Sequence, residues 1–306
     1  MSHATTVRGT LCSLAASCLF GLIYYYSILL DPLGGLEIYG WRIVATLPCF
    51  SLFMLRAGYW PLVTELAGRL RRNRLLILPL AASSFLLGIQ LWLFMWAPIN
   101  GKALEVSLGY LLMPLVMVLV GRLIYNERML VFQKAAVSAA ALGVANQLWR
   151  VGAISPEVLI VALGLPVYFI LRRKLQTAHL GGLWFDFLLM LPAALWVLGG
   201  MEAPVGMLLE HPRLFFQIPL LGLISAAAIG GFATASQMLP LGLFGLLGYV
   251  EPVLMVVVAV LLGASVLPEE ILTYAGVGLA VAILAMGGLH GFLADFTVRP
   301  PRGSPG

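Results

Sequence analysis

Long apolar runs, separated by short polar connections, dominate the chain. A helix needs about 20 apolar residues to cross the hydrocarbon core of a membrane. Ten runs approach that length, at 9–30, 38–56, 75–97, 103–124, 130–149, 156–172, 181–200, 214–233, 240–263 and 271–291. The stretch from Leu214 to Val266 is divided into two helices, because polar residues and a proline between Thr234 and Pro240 break it. The pattern predicts an all-α integral membrane protein with ten transmembrane helices.

Composition agrees with a membrane protein and excludes a nucleic-acid-binding one. Of the 306 residues, 61% are hydrophobic and 10% are charged, and the mean hydropathy is +1.00. A net charge of +5 could attract nucleic acid, but the basic residues are scattered between apolar runs and form no basic face. The expected partners are therefore a small-molecule substrate and membrane lipids. The three cysteines lie within apolar runs and indicate no disulfide framework.

The connections on the two sides of the predicted membrane differ in charge. Fourteen lysines and arginines fall on one side and three on the other. Because cytoplasmic connections retain Lys and Arg, the split places both termini in the cytoplasm of a multi-pass protein in the bacterial inner membrane. The connection from Gly58 to Arg74 has apolar residues at helical spacing and is expected to lie on the cytoplasmic surface. Residues 295–306 are predicted to be a disordered cytoplasmic tail.

Two segments about half the chain apart are alike. The fourth span contains LGYLLMPLV at 108–116, and the ninth contains LGYVEPVL at 247–254. A carboxylate follows each segment, Glu127 and Glu269 respectively, and both are expected to hold helix ends at opposite faces of the membrane. Five helices per copy is an odd number, so the second copy enters the membrane in the opposite direction. The chain is thus predicted to be two inverted five-helix repeats, 1–150 and 151–294.

The sequence resembles the EamA-type permeases of the drug/metabolite transporter superfamily, most closely their RarD-like branch, across all ten predicted spans. The resemblance rests on EIYGWR at 37–42, EVSLGYLLMPLVMVLVGRLIYNE at 105–127, YFILRRK at 168–174 and the segment 246–269. It implies a secondary-active transporter that exports small metabolites, amino acids or drug-like molecules by alternating access. The family usually has Gly where this chain has Asn126, and RarD-like proteins often have His where it has Arg42. These departures bear on substrate identity.

Glu251 stands about midway in an otherwise apolar span. An ionisable side chain at the bilayer centre costs about 2.5–3.5 kcal/mol, so it is expected to face a cavity or a polar partner. Two roles remain open at this point. The carboxylate either binds a cation or proton of the transport cycle, or is hydrogen-bonded and holds helices together.

Arg42 lies near the outer interface, and two interpretations of it are open. Its side chain either extends to water at the membrane surface or forms an ion pair with Glu37 or Glu105. The predicted topology places both carboxylates at the level of Arg42. Such a pair would form an outer gate.

Prolines and glycines interrupt the fourth and ninth spans at corresponding positions. Paired, interrupted helices in two repeats are a pointer to a transport site. Tyr110 and Tyr249 precede the two prolines, where their hydroxyls either bond freed carbonyls or contact substrate. The predicted hinge residues are Pro114, Pro252, Gly109 and Gly248.

The third span has polar residues towards its outer half. Gln90 lies too deep for an interfacial aromatic belt and is expected to face the cavity, and Asn100 is a further candidate substrate contact. Small residues from Ala135 to Ala145, and around Gly276, let helices approach closely, within a chain or between subunits. A monomer and a homodimer are both open.

Motifs of enzyme chemistry are missing from the sequence. It contains no HExxH, GxSxG or GxxxxGK[ST] motif, and its four histidines are isolated. We therefore expect a protein that is not an enzyme, with no cofactor and no metal. A passive channel is the main alternative, and a membrane-embedded enzyme or a receptor-like partner protein is a more distant one.

Overall fold

A computed structural model describes residues 3–99, 103–151, 155–201, 204–261 and 271–298. Every regular element in these ranges is helical. A single 3₁₀ turn, Arg74–Leu76, precedes α4. The α-helices are α1 (His3–Ile28), α2 (Gly35–Arg56), α3 (Trp60–Arg72), α4 (Ile77–Ile99), α5 (Ala103–Tyr125), α6 (Val131–Val151), α7 (Pro156–Lys174), α8 (Leu180–Gly199), α9 (Pro204–Glu210), α10 (Leu214–Met238), α11 (Leu241–Leu247), α12 (Val250–Leu261) and α13 (Ile271–Val298).

Each predicted span is occupied by a helix, and the span 240–263 contains two. Within the described ranges, α1, α2, α4, α5, α8 and α10 are long and apolar enough to cross a membrane. This composition is that of a multi-pass membrane protein, while the count of ten spans stays a prediction. The break predicted between 234 and 240 is confirmed, because α10 ends at Met238 and α11 begins at Leu241. Helix α13 continues to Val298, past the predicted start of the tail, and 299–306 lie outside the described residues.

The core forms between the first and second halves of the chain. Helix α1 packs on α10, α2 packs on α8 and α10, and α4 packs on α7 and α8. Helix α5 packs on α7 and α11, and α6 packs on α13. The largest group of buried apolar residues accordingly draws on both halves, with Phe50, Leu80, Phe187 and Phe244 among its members. Any relative movement of the halves would therefore take place across this core.

The run of small residues on α6 packs within the chain, against α13. A side chain at Gly143 would lie 2.6 Å from the carbonyl oxygen of Thr273, and one at Gly276 would lie 2.8 Å from that of Ala139. Asn146 Nδ2 also donates to Thr273 Oγ1 at 2.9 Å. The side of the run that carries Gly143 therefore packs within the chain, and packing of the rest between subunits stays a prediction.

Helix α3 identifies one end of the bundle. Its apolar side buries Val63 and Leu66, and Arg69 donates hydrogen bonds to the carbonyls of Leu175 (2.8 Å) and Gln176 (3.2 Å), which follow α7. We call this end the basic end, because α3 and the end of α7 carry clustered arginines. The connections before α2 and before α10 meet at the opposite end.

Candidate functional site

The helix of the ninth span is broken in the interior of the bundle. Helix α11 ends at Leu247, Gly248 caps it, and α12 begins at Val250. Pro252 is therefore the third residue of a new helix, where the amide hydrogen it lacks has no helical acceptor. In the other repeat α5 runs unbroken through Pro114. Only the second repeat therefore has a break in the helix, and the hinge role predicted for Pro114 stays a prediction.

Two predicted hinge glycines serve close packing. A side chain at Gly109 would lie 2.6 Å from Val161 Cβ, so this glycine allows α5 to approach α7. A side chain at Gly248 would lie 2.9 Å from the carbonyl oxygen of Gly245 within the turn that ends α11. Their positions explain why glycine is used there without requiring movement.

Glu251 lies in the first turn of α12, where the helix dipole favours a carboxylate. The residue is partly buried and keeps some accessible surface. Tyr110 on α5 is partly buried as well. The two side chains lie close enough to interact electrostatically.

Arg42 on α2 is brought to the same region. Its charge interacts electrostatically with Glu251 and with Tyr110. The side chain is buried, with 2% of its surface exposed, and Nε donates to Ser225 Oγ on α10 at 3.0 Å. Extension of Arg42 to the membrane surface is therefore wrong.

Of the two carboxylates predicted to pair with Arg42, the structure describes the side chain of one, Glu37. Glu37 Oε2 accepts a hydrogen bond from the Gly34 amide at 2.7 Å and so caps α2. It forms no ion pair with Arg42 among the described contacts. The side chain of Glu105, the other predicted partner, lies outside the part of the chain that the structure describes, and so does Asn100.

Gln90 on α4 completes the group. Only 2% of it is exposed. Its Nε2 donates to the Ile160 carbonyl at 2.8 Å, and its backbone carbonyl accepts from the Tyr110 hydroxyl at 3.3 Å. Its Oε1 is buried and has no hydrogen-bond partner within the described residues, an arrangement that calls for an explanation. We call Arg42, Gln90, Tyr110, Ser225 and Glu251 the central cluster.

Tyr249 is the predicted site residue that lies elsewhere. It is fully buried, and its hydroxyl donates to the Leu111 carbonyl at 2.9 Å. The preceding carbonyl, that of Tyr110, has no helical donor, because Pro114 lacks the amide hydrogen that would bond to it. Tyr249 thus bonds beside the position that the proline leaves unpaired. Of the two roles open to Tyr249, the structure therefore supports the structural one.

A second polar group, at the basic end, was missed by the sequence reasoning. Asp186 on α8 is completely buried. Its carboxylate accepts hydrogen bonds from Tyr168 (2.8 Å) and Ser83 (3.2 Å) and lies 3.5 Å from Arg172 Nη1. We call Ser83, Tyr168, Arg172 and Asp186 the basic-end cluster. Its signal in the sequence was the one that identified Glu251, a lone carboxylate in an apolar span.

His179 adjoins the basic-end cluster in the connection between α7 and α8. Its Nδ1 accepts a hydrogen bond from the Gly182 amide at 3.3 Å, which caps α8. Burial lowers the pKa of His179 below its ordinary value, and the charge of Arg172 lowers it further. The imidazole is therefore neutral at pH 7, as its role as an acceptor requires.

Glu127 caps the first part of the broken helix. Its two carboxylate oxygens accept hydrogen bonds from the amides of Leu241 (2.7 Å) and Gly242 (2.8 Å). The structural role predicted for Glu127 is confirmed, and Glu269 lies outside the described residues. Within the described ranges no group of three or more His, Cys, Asp or Glu side chains is placed to hold a metal ion.

Relatives of known name extend over nearly the whole chain. No family model matches it. The "Chloramphenicol-sensitive protein RarD" of Pseudomonas aeruginosa is 44% identical over 279 residues, which cover 90% of this chain and 93% of that protein. The chain belongs to the RarD family. It is thus a RarD-like permease, a membrane transporter.

Other comparisons agree with this assignment. An uncharacterized transporter of Pasteurella multocida is 40% identical, with 87% of this chain and 91% of that protein covered. Protein RarD of Salmonella typhimurium is 29% identical, with coverage of 95% and 98%. A solved crystal structure, 17% identical, matches with a TM-score of 0.62 over 91% of this chain and 98% of its own. That likeness shows a shared fold.

Proposed function

We propose that this permease is a secondary carrier that works by alternating access, with the central cluster as its substrate site. Its substrates are small metabolites, amino acids or drug-like molecules. The observation that carries the proposal is Glu251, a carboxylate deep in the bundle that keeps accessible surface at the start of a broken helix. Broken helices whose ends face the membrane interior are typical of transport sites.

The packing of the helices supports two inverted repeats, 1–150 and 151–294. Its contacts occur in matched pairs, as a pseudo-twofold axis would produce them. In such a repeat, α1, α2 and α4 correspond to α7, α8 and α10. The contact of α1 with α10 then matches that of α7 with α4, and the contact of α2 with α10 matches that of α8 with α4. Helices α2 and α8, α5 and α11, and α6 and α13 contact their own counterparts. Halves related in this way can close alternately toward either side.

The chemistry of the central cluster favours a polar ligand. It combines the guanidinium of Arg42, the carboxylate of Glu251 and the unpaired Oε1 of Gln90. An apolar ligand would remove water from these groups without replacing its hydrogen bonds. The Pseudomonas aeruginosa relative is named for chloramphenicol sensitivity, so chloramphenicol is the first ligand to test. Amino acids, amines and other antibiotics follow in a thermal-shift screen, because a ligand that binds only the folded state raises Tm.

Counterflow separates a carrier from a channel. Proteoliposomes preloaded with unlabelled substrate should take up labelled substrate faster than empty ones. The reason is that a carrier with internal substrate bound returns its site to the outer side faster than an empty carrier does. Equal rates would indicate a channel. Glu251→Gln should abolish this exchange while the protein stays folded, whereas Glu210→Gln, at an exposed position outside the central cluster, should exchange as the wild type does.

Proton exchange at Glu251 is the proposed energy source. No nucleotide-binding loop occurs in the sequence. One charge crossing 100 mV contributes about 2.3 kcal/mol, enough for roughly fifty-fold accumulation of substrate. The rival is facilitated exchange, in which Glu251 binds a cationic part of the substrate and releases no proton. A pH dye inside the proteoliposomes decides: substrate flux without a pH change, unaffected by an imposed pH gradient, would exclude proton coupling.

The basic end is proposed to face the cytoplasm, together with both termini, in a bacterial inner membrane. The fourteen-to-three split of basic residues supports this orientation. Cysteines introduced near Glu202 should react with an impermeant reagent from outside the cell, and those near Arg71 should not. The reverse pattern would overturn the orientation. The family resemblance favours export, which transport assays in inverted and right-side-out vesicles would test.

A further inference from the structure

Arg42 and Asp186 occupy matching positions in the two halves of the chain. Arg42 lies six residues before Pro48 in α2, and Asp186 lies six residues before Pro192 in α8. Both are buried. Each is hydrogen-bonded to a serine on a helix of the other half, Arg42 to Ser225 on α10 and Asp186 to Ser83 on α4. The two helix pairs involved, α2 with α10 and α8 with α4, are the matched contacts already described.

The two positions lie toward opposite ends of the bundle. Asp186 is in the second turn of α8, Arg172 is in the last turn of α7, and Ser83 is in the second turn of α4. These ends adjoin α3 at the basic end, where Leu80, Arg69 and Thr177 line a shallow pocket. Arg42, in contrast, follows the start of α2 at the opposite end. Equivalent positions of an inverted repeat are expected to line opposite halves of one pathway.

The partners of Asp186 join helices that would have to separate. Its carboxylate accepts a hydrogen bond from Tyr168 on α7 in its own half and lies 3.2 Å from the Ser83 hydroxyl on α4 in the other half. That hydroxyl is shared, because it also lies 2.8 Å from the Leu80 carbonyl one turn earlier in α4. The buried Arg172 supplies the opposite charge. A buried ion pair is weak evidence for stability, because apolar residues of similar volume often stabilise as well. A polar group that joins the two halves is better suited to a contact that forms and breaks.

We infer that Asp186 is a positioning residue of the transport cycle: its carboxylate holds the basic end of the pathway closed through Ser83, and this contact is released when that end opens. In the state described here the contact is made, so the basic end is closed. The inference rests on the proposed function, since a chain that does not alternate would have no state in which the contact breaks.

The accessibility of Leu80, which is buried one turn before Ser83, tests the inference. In a background without Cys12, Cys18 and Cys49, Leu80→Cys is labelled with an impermeant maleimide from the basic side. Asp186→Asn and Ser83→Ala should each raise the labelling rate at least about fivefold, as a shift of the closed state toward the open one would. Counterflow by both variants should fall, while ligand binding to the folded protein is retained.

Ser84→Ala is the matched control. Ser84 is the neighbour of Ser83 on α4, and its hydroxyl also bonds to α8, but it donates to the backbone carbonyl of Asp186 at 2.8 Å and not to the carboxylate. The control therefore separates loss of the carboxylate contact from loss of any hydrogen bond between these two helices. Its labelling rate should stay at the wild-type value. An equal rise in Ser84→Ala, or no rise in Ser83→Ala, would overturn the inference. If Asp186→Asn fails to fold, Ser83→Ala alone decides.

The labelling result can be separated from the proposed function. Absence of counterflow in the wild type, with any substrate that binds, would reject the carrier. Counterflow in the wild type together with unchanged labelling in Ser83→Ala would reject the gate alone.

Discussion

The central cluster and the basic-end cluster contain the same types of side chain but use them differently. Each has an arginine, a carboxylate and a tyrosine inside the bundle. In the basic-end cluster, Asp186 is completely buried, accepts a hydrogen bond from Tyr168 and lies 3.5 Å from Arg172 Nη1. That nitrogen makes an ion pair but has no hydrogen-bond partner within the described residues. In the central cluster the described contacts include no direct ion pair between Arg42 and Glu251, and Glu251 keeps accessible surface. A buried charge with its partners in place holds helices, whereas an incompletely paired one can receive a ligand.

The backbone explains why the two clusters differ. Arg172 lies in the last turn of α7 and Asp186 in the second turn of α8, so both side chains are positioned by regular helix. The chain around Glu251 is interrupted at Gly248, and α12 begins anew beside the carboxylate. The amide groups of a helix start favour a carboxylate at this position, and Arg42 interacts with it electrostatically. Among the described contacts, however, Glu251 has no direct ion-pair partner of the kind that Asp186 has.

The largest contrast is expected from removing each arginine. Arg172→Ala leaves Asp186 buried without an opposite charge and should lower the free energy of unfolding by about 3–5 kcal/mol. Arg42→Ala removes a buried guanidinium of the proposed substrate site, so it should lower ligand affinity at least about tenfold. The loss of stability should be smaller, because Glu251 keeps accessible surface. Thermal unfolding in detergent and ligand titration measure the two effects. Equal destabilisation by both variants would remove the distinction between the clusters.

Two glycines allow a smaller test of the same comparison. A side chain at Gly182 would collide with the Arg172 guanidinium and with the backbone carbonyl of Thr177. Gly182→Ala should therefore lower the free energy of unfolding by about 3 kcal/mol. The three atoms nearest to a side chain at Gly164 all belong to Gln90, whose terminal amide would have to turn away from the Ile160 carbonyl.

Gly164→Ala should accordingly weaken ligand binding more than it weakens the fold. Gly199→Ala is the control for both glycine variants, because nothing lies within 4 Å of the added atom. Its Tm should not fall. A Gly182→Ala protein as stable as Gly199→Ala would show that Arg172 is not held in place by this packing.

The two tyrosines provide a pair that differs by a single hydroxyl. Tyr168→Phe removes a 2.8 Å hydrogen bond to the Asp186 carboxylate and should destabilise the fold by about 1.5–2 kcal/mol. Tyr110→Phe removes a 3.3 Å bond to a backbone carbonyl and should cost about 0.5–1 kcal/mol, with a further loss of ligand affinity. Chemical denaturation and binding assays on both variants make the comparison. A larger stability loss in Tyr110→Phe would contradict it.

The smallest effect is expected from pH. Because the pKa of His179 is lowered in the folded protein by burial and by Arg172, the unfolded chain binds more protons than the folded one below the ordinary pKa of histidine. Stability should therefore be complete at neutral pH and decline as the pH falls through the range between the ordinary and the lowered pKa. Arg69 adds to this shift and Glu65 opposes it.

His179→Asn keeps a side chain able to cap α8 and removes the titration. Its Tm should thus fall less between pH 7.5 and 5.5 than that of the wild type. Parallel curves for the two proteins would show that His179 makes no contribution to the pH dependence.

Several interior residues could be identified from the sequence because their signal is local. An ionisable group in an apolar run is costly wherever the run folds, so Glu251 was expected to need a cavity or a partner. Asp186 carries the same signal and could have been found in the same way. The role of Glu127 followed from its place at the end of a repeated segment. The position of the Arg42 side chain could not be predicted in this way, because a long side chain near the end of a span can reach either water or a distant helix.

The sequence by itself determined the class of protein, the positions of its helices and its resemblance to the RarD-like permeases. Apolar runs of membrane-spanning length allow only helices in lipid, where each backbone group must find its partner within the same segment. Only the tertiary structure decided that α5 continues through Pro114 while the other repeat breaks at Gly248. It also decided that Arg42 meets Ser225 and that Asp186 meets Ser83. These outcomes depend on contacts between residues more than 100 positions apart, which no local pattern encodes.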